Sequence, residues 1–220
     1  MMDRFPSYER LRRLEKIFKD VTVSGEGNEL SCLTDRGDKN RLDIIGSRNK
    51  VQIGAGCKIN EATWIMRGDE MSLILEDGIR FNGRINISGR GGKVVIGKNT
   101  TFERVNIVCI ESANVIIGAE CMFSFGIEIR TSDAHSIIDL ATRCRINGPG
   151  DVIVGDHVWI GAHTTLNKGI TIASDVIVGT RAVVTKDIVE EHCAAAGVPA
   201  RVVRRDVSWD RKLVPVGEKP

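Results

Sequence analysis

The sequence predicts an all-β chain wound as a parallel β-helix of hexapeptide repeats, and three observations carry that reading. An aliphatic residue returns every sixth position at Val154, Ile160, Leu166, Ile172, Val178 and Val184. Two places before each sits a smaller or β-branched partner: Val152, Val158, Thr164, Ile170, Val176 and Ala182. Aromatic residues make up only 5% of the chain while glycine occurs 23 times, which suits a narrow aliphatic interior with tight corners. A period of six is neither the 2 of an ordinary strand nor the 3.6 of a helix. It describes short strands that each end in a corner, three to a turn of coil. The period alone does not fix the hand of that coil.

The elements follow in order. Phe5, Tyr8, Leu11, Leu14, Ile17 and Phe18 recur at three-to-four spacing, so residues 4–20 read as a helix that covers the open end of the coil. The division expected is 1–29 for this cap, 30–190 for the coil with an insertion at about 130–150, and 191–220 for a C-terminal extension. Within the coil, Ile53, Leu75, Ile96 and Ile117 are related positions at steps of 22, 21 and 21. Six-residue spacing persists inside each unit: Ile53, Ile59 and Ile65; Leu75, Phe81 and Ile87; Ile96, Phe102 and Val108; Ile117, Phe123 and Ile129. The surplus residues fall near 67–72, 88–93 and 109–114 and should stack as a ridge along one edge. One coil cannot offset the ordering of its own chain, so stability grows only by stacking.

Residues 130–150 break the register. Counting on from Ile129, the next inward position is His135, and an imidazole is poorly satisfied in a dry aliphatic interior. The chain is therefore expected to leave the coil there and to re-enter at Val152 after the turn Asn147-Gly148-Pro149-Gly150. A break in a regular repeat is a natural location for function.

Composition narrows the classes. With 31 basic and 29 acidic residues the net charge is +2, unlike a dedicated nucleic-acid binder. The six cysteines form no CxxC pair and read as small buried hydrophobes in a reducing compartment. No secretory signal and no apolar run of about 20 residues is seen, so a cytoplasmic protein without an integral membrane segment is expected.

Several side chains carry candidate chemistry. His135 is a general base or a plain loop histidine, since an imidazole can take a hydroxyl proton near neutral pH. Asp133 either orients that ring or is solvated. Trp159 lies between the inward Val158 and Ile160, so it faces outward and requires a partner, another subunit or a ligand. His157 and His163 occupy equivalent corners on successive faces and diverge too far to share a metal, so no metal site is expected. Lys186, Arg201, Arg204 and Arg205 form either a phosphate-binding cluster or a solvated surface.

Val158-Trp159-Ile160-Gly161, Asn167-Lys168-Gly169-Ile170-Thr171-Ile172, Val183-Val184-Thr185-Lys186-Asp187 and Ala196-Gly197-Val198-Pro199-Ala200-Arg201-Val202-Val203 resemble the C-terminal half of hexapeptide-repeat acyltransferases. The segment Ser132-Asp133-Ala134-His135-Ser136 ahead of them is most similar to that of bacterial capsular and exopolysaccharide O-acetyltransferases, with galactoside and maltose acetyltransferases more distant. The resemblance is specific over about 125–208, generic over 30–124 and absent at the termini.

The resemblance implies a left-handed helix, acetyl-CoA as co-substrate and a homotrimer with active sites between subunits. It implies His135 as general base and Trp159 as a wall of the pocket. Backbone N–H groups of Ala162 and Thr180 would serve the donor, with Lys186, Arg201 and Arg204 near the CoA phosphates. Ala162 stands where galactoside acetyltransferases have serine, which spares a backbone contact. The function so implied is acetyl transfer to a hydroxyl of a sugar or polysaccharide, in a capsule or other surface glycan, by direct attack on the thioester. Alternatives are N-acetylation of an amino sugar or small amine, a γ-type carbonic anhydrase that would require zinc, and a non-catalytic β-helix that serves assembly.

Overall fold

The computed structural model describes residues 14–219 and forms a parallel β-solenoid with three faces. One face is a 7-stranded sheet containing Glu29–Cys32, Lys50–Ile53, Ser72–Leu75, Lys93–Ile96, Asn114–Ile117, Val152–Val154 and Ile170–Ile172. A 13-stranded sheet wraps the second and third faces. Its long strands, such as Lys58–Asp69 and Arg80–Arg90, bend through the corner between those faces.

The spacing positions the core as expected on the first face. Ile53, Leu75, Ile96, Ile117, Val154 and Ile172 pair in one continuous column. All six aliphatic residues of the C-terminal repeat and all six of their partners are buried. On the second face Phe81, Phe102 and Phe123 stack with centroids 5.3 and 4.6 Å apart. Trp64 and Phe18 extend this file at 5.7 and 5.1 Å. Each such ring contributes roughly 1.5–3 kcal/mol by burial, and the offset contacts add to it.

On the third face Ile87 and Ile129 point inward as expected, but Ile65 and Val108 do not. Two residues turn the corner between the inward Ile59 and Ala62, and two between Phe102 and Val105. The ladder shifts register at both points. An odd shift reverses which side chains face the core. Trp64 and Met66 therefore fill the interior in place of Ile65, and Ile107 and Cys109 in place of Val108.

The N-terminal helix ends sooner than its pattern, which ran to residue 20. Residues 14–17 are helical, and Phe18–Ser24 is already a strand paired with Asn40–Ile45. Leu14 and Ile17 are buried in the core, as a cap requires. Phe5, Tyr8 and Leu11 lie outside the described residues.

The surplus turns stack as a ridge at the corner between the third and first faces. Gly46, Gly68 and Gly89 lie in register there, each at positive φ. A Cβ on Gly68 would sit 1.9 Å from the Gly89 carbonyl oxygen, so the close stacking admits only glycine. Glu70 bridges Arg48 and Arg90 at 2.8 and 2.9 Å on the turns to either side. The insertion after Arg130 leaves the coil at this same corner, and Val152 then pairs with Val115 as if nothing had intervened.

The C-terminal segment is more integrated than an appended extension. Cys193–Gly197 joins the large sheet parallel to Ile177–Val178, and Ala200–Arg205 returns antiparallel. The chain then runs back along the corner between the first and second faces. Trp209 stacks on His157 with centroids 4.4 Å apart, and Arg211 donates to the Cys121 carbonyl at 2.8 Å and to Thr101 Oγ1 at 2.9 Å.

Cys32, Cys57, Cys109, Cys121 and Cys193 are buried. Burial pushes the Cys109 thiol up to about 12 and the Cys121 thiol up to about 11. Cys144 corrects the expectation of uniform burial, because it lies exposed in the insertion.

Candidate active site

The insertion is a braced loop. His135 is exposed on it, and Asn147 bonds the His135 carbonyl together with Asp133 and Ile137 on either side. Asn147 Nδ2 donates to the His135 carbonyl at 2.8 Å and to Asp133 Oδ2 at 2.6 Å. Its Oδ1 accepts from the Ile137 N–H at 2.7 Å and from Arg145 Nε at 3.2 Å. Asn147 is itself buried, so these bonds are shielded from water.

A charged frame anchors this amide to the coil. Arg145 grips Glu111 on the ridge at 2.6 and 3.0 Å, and also donates to the Asn147 carbonyl at 3.0 Å. The Arg145 guanidinium, helped by a hydrogen bond from Ser132, holds the Glu111 carboxyl down at about 2. Lys168, from the coil below, donates to Asp133 and lowers its carboxyl, with Asn147 adding to the effect. Asp133 Oδ2 is thus engaged by Lys168 and Asn147, and no hydrogen bond among the described residues joins Asp133 to the His135 ring.

The remaining candidates sit on other parts of the prism. Trp159 faces outward from the second face, 37% exposed. A partner lies in its own chain, since Trp209 is 6.1 Å from it. Ala162 and Thr180 occupy successive rungs of the tight corner between the second and third faces, and a Cβ on Gly161 would meet the Thr180 nitrogen at 2.6 Å. Around them the N–H groups of Gly161, His163, Gly179 and Arg181 all donate to backbone carbonyls, whereas those of Ala162 and Thr180 donate to none of the described residues. Adjacent amides left free in this way suit the carbonyl oxygens of a ligand.

Arg201 and Arg204 share the strand Ala200–Arg205, and Lys186 lies in the turn after Val183–Val184. Arg205 is taken by Glu190 at 2.6 Å. The structure therefore brings Ala162 next to Thr180, and Arg201 onto one strand with Arg204. It separates His135, on the ridge corner, from Ala162 and Thr180, on the tight corner of the same chain.

His157 and His163 sit at corners with positive φ, as their spacing implied. His157 Nδ1 bonds Asp175 at 2.7 Å, and His163 packs its ring edge-on against Phe125 at 4.7 Å. Among the described residues no group of three or more His, Cys, Asp or Glu is arranged to hold a metal ion. Sequence reasoning missed Asn147, Trp209 and Arg211. Their partners lie far along the chain, and only the Asn-Gly-Pro-Gly turn marked Asn147 as special.

Comparison with known proteins finds relatives that align over most of the chain. The chain is 34% identical over 173 residues to a polysialic acid O-acetyltransferase of Neisseria meningitidis, covering 79% of this chain and 80% of that protein. It is 35% identical over 125 residues to a polysialic acid O-acetyltransferase of Escherichia coli, covering 57% of this chain and 40% of that protein. The solved structure of the polySia-specific acetyltransferase NeuO superimposes with a TM-score of 0.79 at 33% identity, over 88% of this chain and 89% of that one. The polysialic acid O-acetyltransferase OatWY superimposes with a TM-score of 0.77 at 31% identity, over 90% of each chain. No family model matches the sequence. The fold and these relatives define an acyltransferase of the β-helix class. Within that class, the chain belongs to the hexapeptide-repeat acetyltransferase family that includes the polysialic acid O-acetyltransferases.

Proposed function

We propose that the protein transfers an acetyl group from acetyl-CoA to a hydroxyl of a polysaccharide, a capsular or other surface glycan, as a homotrimer acting in the cytoplasm. The observation that carries this reading is the pair of unengaged N–H groups at Ala162 and Thr180 on adjacent rungs. Acetyl-CoA supplies the acetyl group as an activated thioester. The two amides hold the donor and stabilise negative charge on the oxygen of the attacked carbonyl. Lys186, Arg201 and Arg204 face the CoA phosphates. His135 takes the proton from the acceptor hydroxyl as its oxygen bonds to the carbonyl carbon. The C–S bond breaks, and the departing sulfur receives a proton in turn.

Two corners of one prism hold the base and the amides, so a neighbouring copy completes the site. Trp159 then lines the pocket beside the amides. Holding both substrates in that intersubunit cleft supplies much of the rate enhancement. Mass spectrometry of glycans incubated with acetyl-CoA and the protein tests the reading. A gain of acetyl groups that mild base removes is expected. Base-stable acetylation would instead mark an amide product, and no acetylation of any glycan would refute the function.

A further inference from the structure

Trp159 stands on the outer surface of the second face, and the rungs next to it carry Met122 and Ile177, paired in register with it. Along its own strand Ala162 lies to one side and the corner residue His157 to the other. On the His157 side the C-terminal tail brings in Trp209, 6.1 Å from Trp159 with the two rings tilted at 48°. The Trp159 indole N–H makes no hydrogen bond to any described residue. Packing alone therefore holds this ring, and its polar edge is unspent.

Trp209 is fixed far more firmly than the tail around it. It is 8% exposed, whereas Leu213 and Val216 beyond it are fully exposed. Its ring stacks on His157 with the planes 9° from parallel, and its Nε1–H donates to the His157 carbonyl at 2.8 Å. His157 is held in turn by Asp175 on the next coil, 2.7 Å from Nδ1. The chain is tied down on both sides of the indole. The Val207 N–H donates to the His192 carbonyl at 3.0 Å. Arg211 reaches the Cys121 carbonyl and Thr101 Oγ1, and its guanidinium lies 5.7 Å from the Trp209 ring centroid. A ring anchored by both its face and its N–H has already lost its rotamer freedom, so it makes a rigid abutment for a neighbour that has no anchor of its own.

We infer that Trp209 is a positioning residue for acetyl transfer: it abuts the Trp159 indole from the side away from Ala162, so that this pocket wall keeps one orientation beside the donor amides with its N–H free for a substrate oxygen. The inference rests on the acetyltransferase reading above, with Trp159 as the pocket wall, and gives the C-terminal tail a part in the reaction.

The test uses the full-length chain with acetyl-CoA, and polysialic acid and dextran as acceptors. Trp209→Leu fills most of the space without a flat ring. It is expected to lower kcat by roughly three- to tenfold, the worth of one aromatic contact, with the KM for acetyl-CoA near wild type. Trp209→Phe keeps a ring beside Trp159 but loses the bond to the His157 carbonyl. It should lower the thermal midpoint and yet keep kcat within about twofold of wild type. Both variants retain only Trp64, which is fully buried, and Trp159, so time-resolved fluorescence anisotropy compares the freedom of Trp159 between them. A larger fast depolarising component is expected in Trp209→Leu than in Trp209→Phe. Wild-type kcat in Trp209→Leu overturns the positioning role and leaves the acetyltransferase reading standing. So does a kcat that follows the thermal midpoint through both variants, which would make Trp209 a support of the coil alone. Equal anisotropy decays would likewise show that Trp209 does not hold Trp159. A wild-type protein that acetylates no glycan refutes the functional reading itself, and the anisotropy comparison then still decides whether the tail fixes the ring.

Discussion

Replacing Asn147 with alanine isolates the brace that holds the His135 loop. The amide makes four hydrogen bonds, at 2.6, 2.8, 2.7 and 3.2 Å, to groups on both sides of His135. Neutral bonds of this kind contribute about 0.5–1.5 kcal/mol each, and a bond to a charged group about 1.5–3. Two of the four partners keep other anchors, since Asp133 retains Lys168 and Arg145 retains Glu111. The carbonyl of His135 and the N–H of Ile137 lose a bond outright. The net loosening of the loop is then about 2 kcal/mol, which is about thirtyfold if the base must sit in its braced position for turnover. The loop rejoins the coil without disturbing its register, so the cost falls on local order and not on the solenoid. Steady-state kinetics with acetyl-CoA and an acceptor glycan should show kcat reduced by about that factor, with the KM for acetyl-CoA and the thermal midpoint near wild type. Wild-type kcat in Asn147→Ala would refute the positioning argument. A fall in the thermal midpoint as large as that of a core truncation such as Phe123→Ala would show that Asn147 supports the whole coil instead.

His135→Ala should retain acetyl-CoA binding and lose turnover by about 10²–10⁴; full activity in this variant would exclude His135 as the base. Gly68→Ala forces a Cβ to within 1.9 Å of the Gly89 carbonyl at a φ of 130°, and should cost about 3 kcal/mol or more. For a chain of this length that is a fall of roughly 6–12 °C in thermal midpoint, readable by calorimetry. Glu111, held at about 2 against an ordinary 4.5, contributes stability that is fully present above pH 4.5 and is lost as pH falls toward 2. The difference in thermal midpoint between wild type and Glu111→Gln should therefore shrink over that window, and a constant difference across it would contradict the Arg145 clamp.

The period of six made the first face and the C-terminal coils legible in full, because each inward position repeats at a fixed count and each was found buried. It failed at Ile65 and Val108 for a definite reason. A corner can absorb one more or one fewer residue at little cost, and one residue is enough to invert the alternation beyond it. The rule measures strands but does not see corners. His135 was marked as unable to continue the coil and Trp159 as outward-facing, and both hold. The frame around His135 was illegible because it joins Glu111 to Arg145 and Asp133 to Lys168, contacts 34 and 35 residues apart with no periodic signal. The same applies to Trp209 and Arg211, whose partners His157 and Thr101 lie 52 and 110 residues away. Trp159 was assigned a partner in another subunit or a ligand because no sequence rule brings the C-terminal tail back along the coil.

The three corners of the prism divide the work according to what each permits geometrically. The tight corner turns in so few residues that its amides are fixed to successive rungs, a rigid ladder suited to holding a carbonyl but unable to host a mobile base. The ridge corner already carries long, glycine-lined turns, so inserting some twenty residues there adds little closure entropy, which grows only with the logarithm of loop length. That corner can carry a projecting loop with its own hydrogen-bonded frame, and it is where His135 stands. The third corner is sealed by the tail through Trp209 and Arg211. A base from the ridge corner and amides from the tight corner point away from a common axis in one chain. Under the proposed mechanism they would converge where the ridge of one prism meets the tight corner of another.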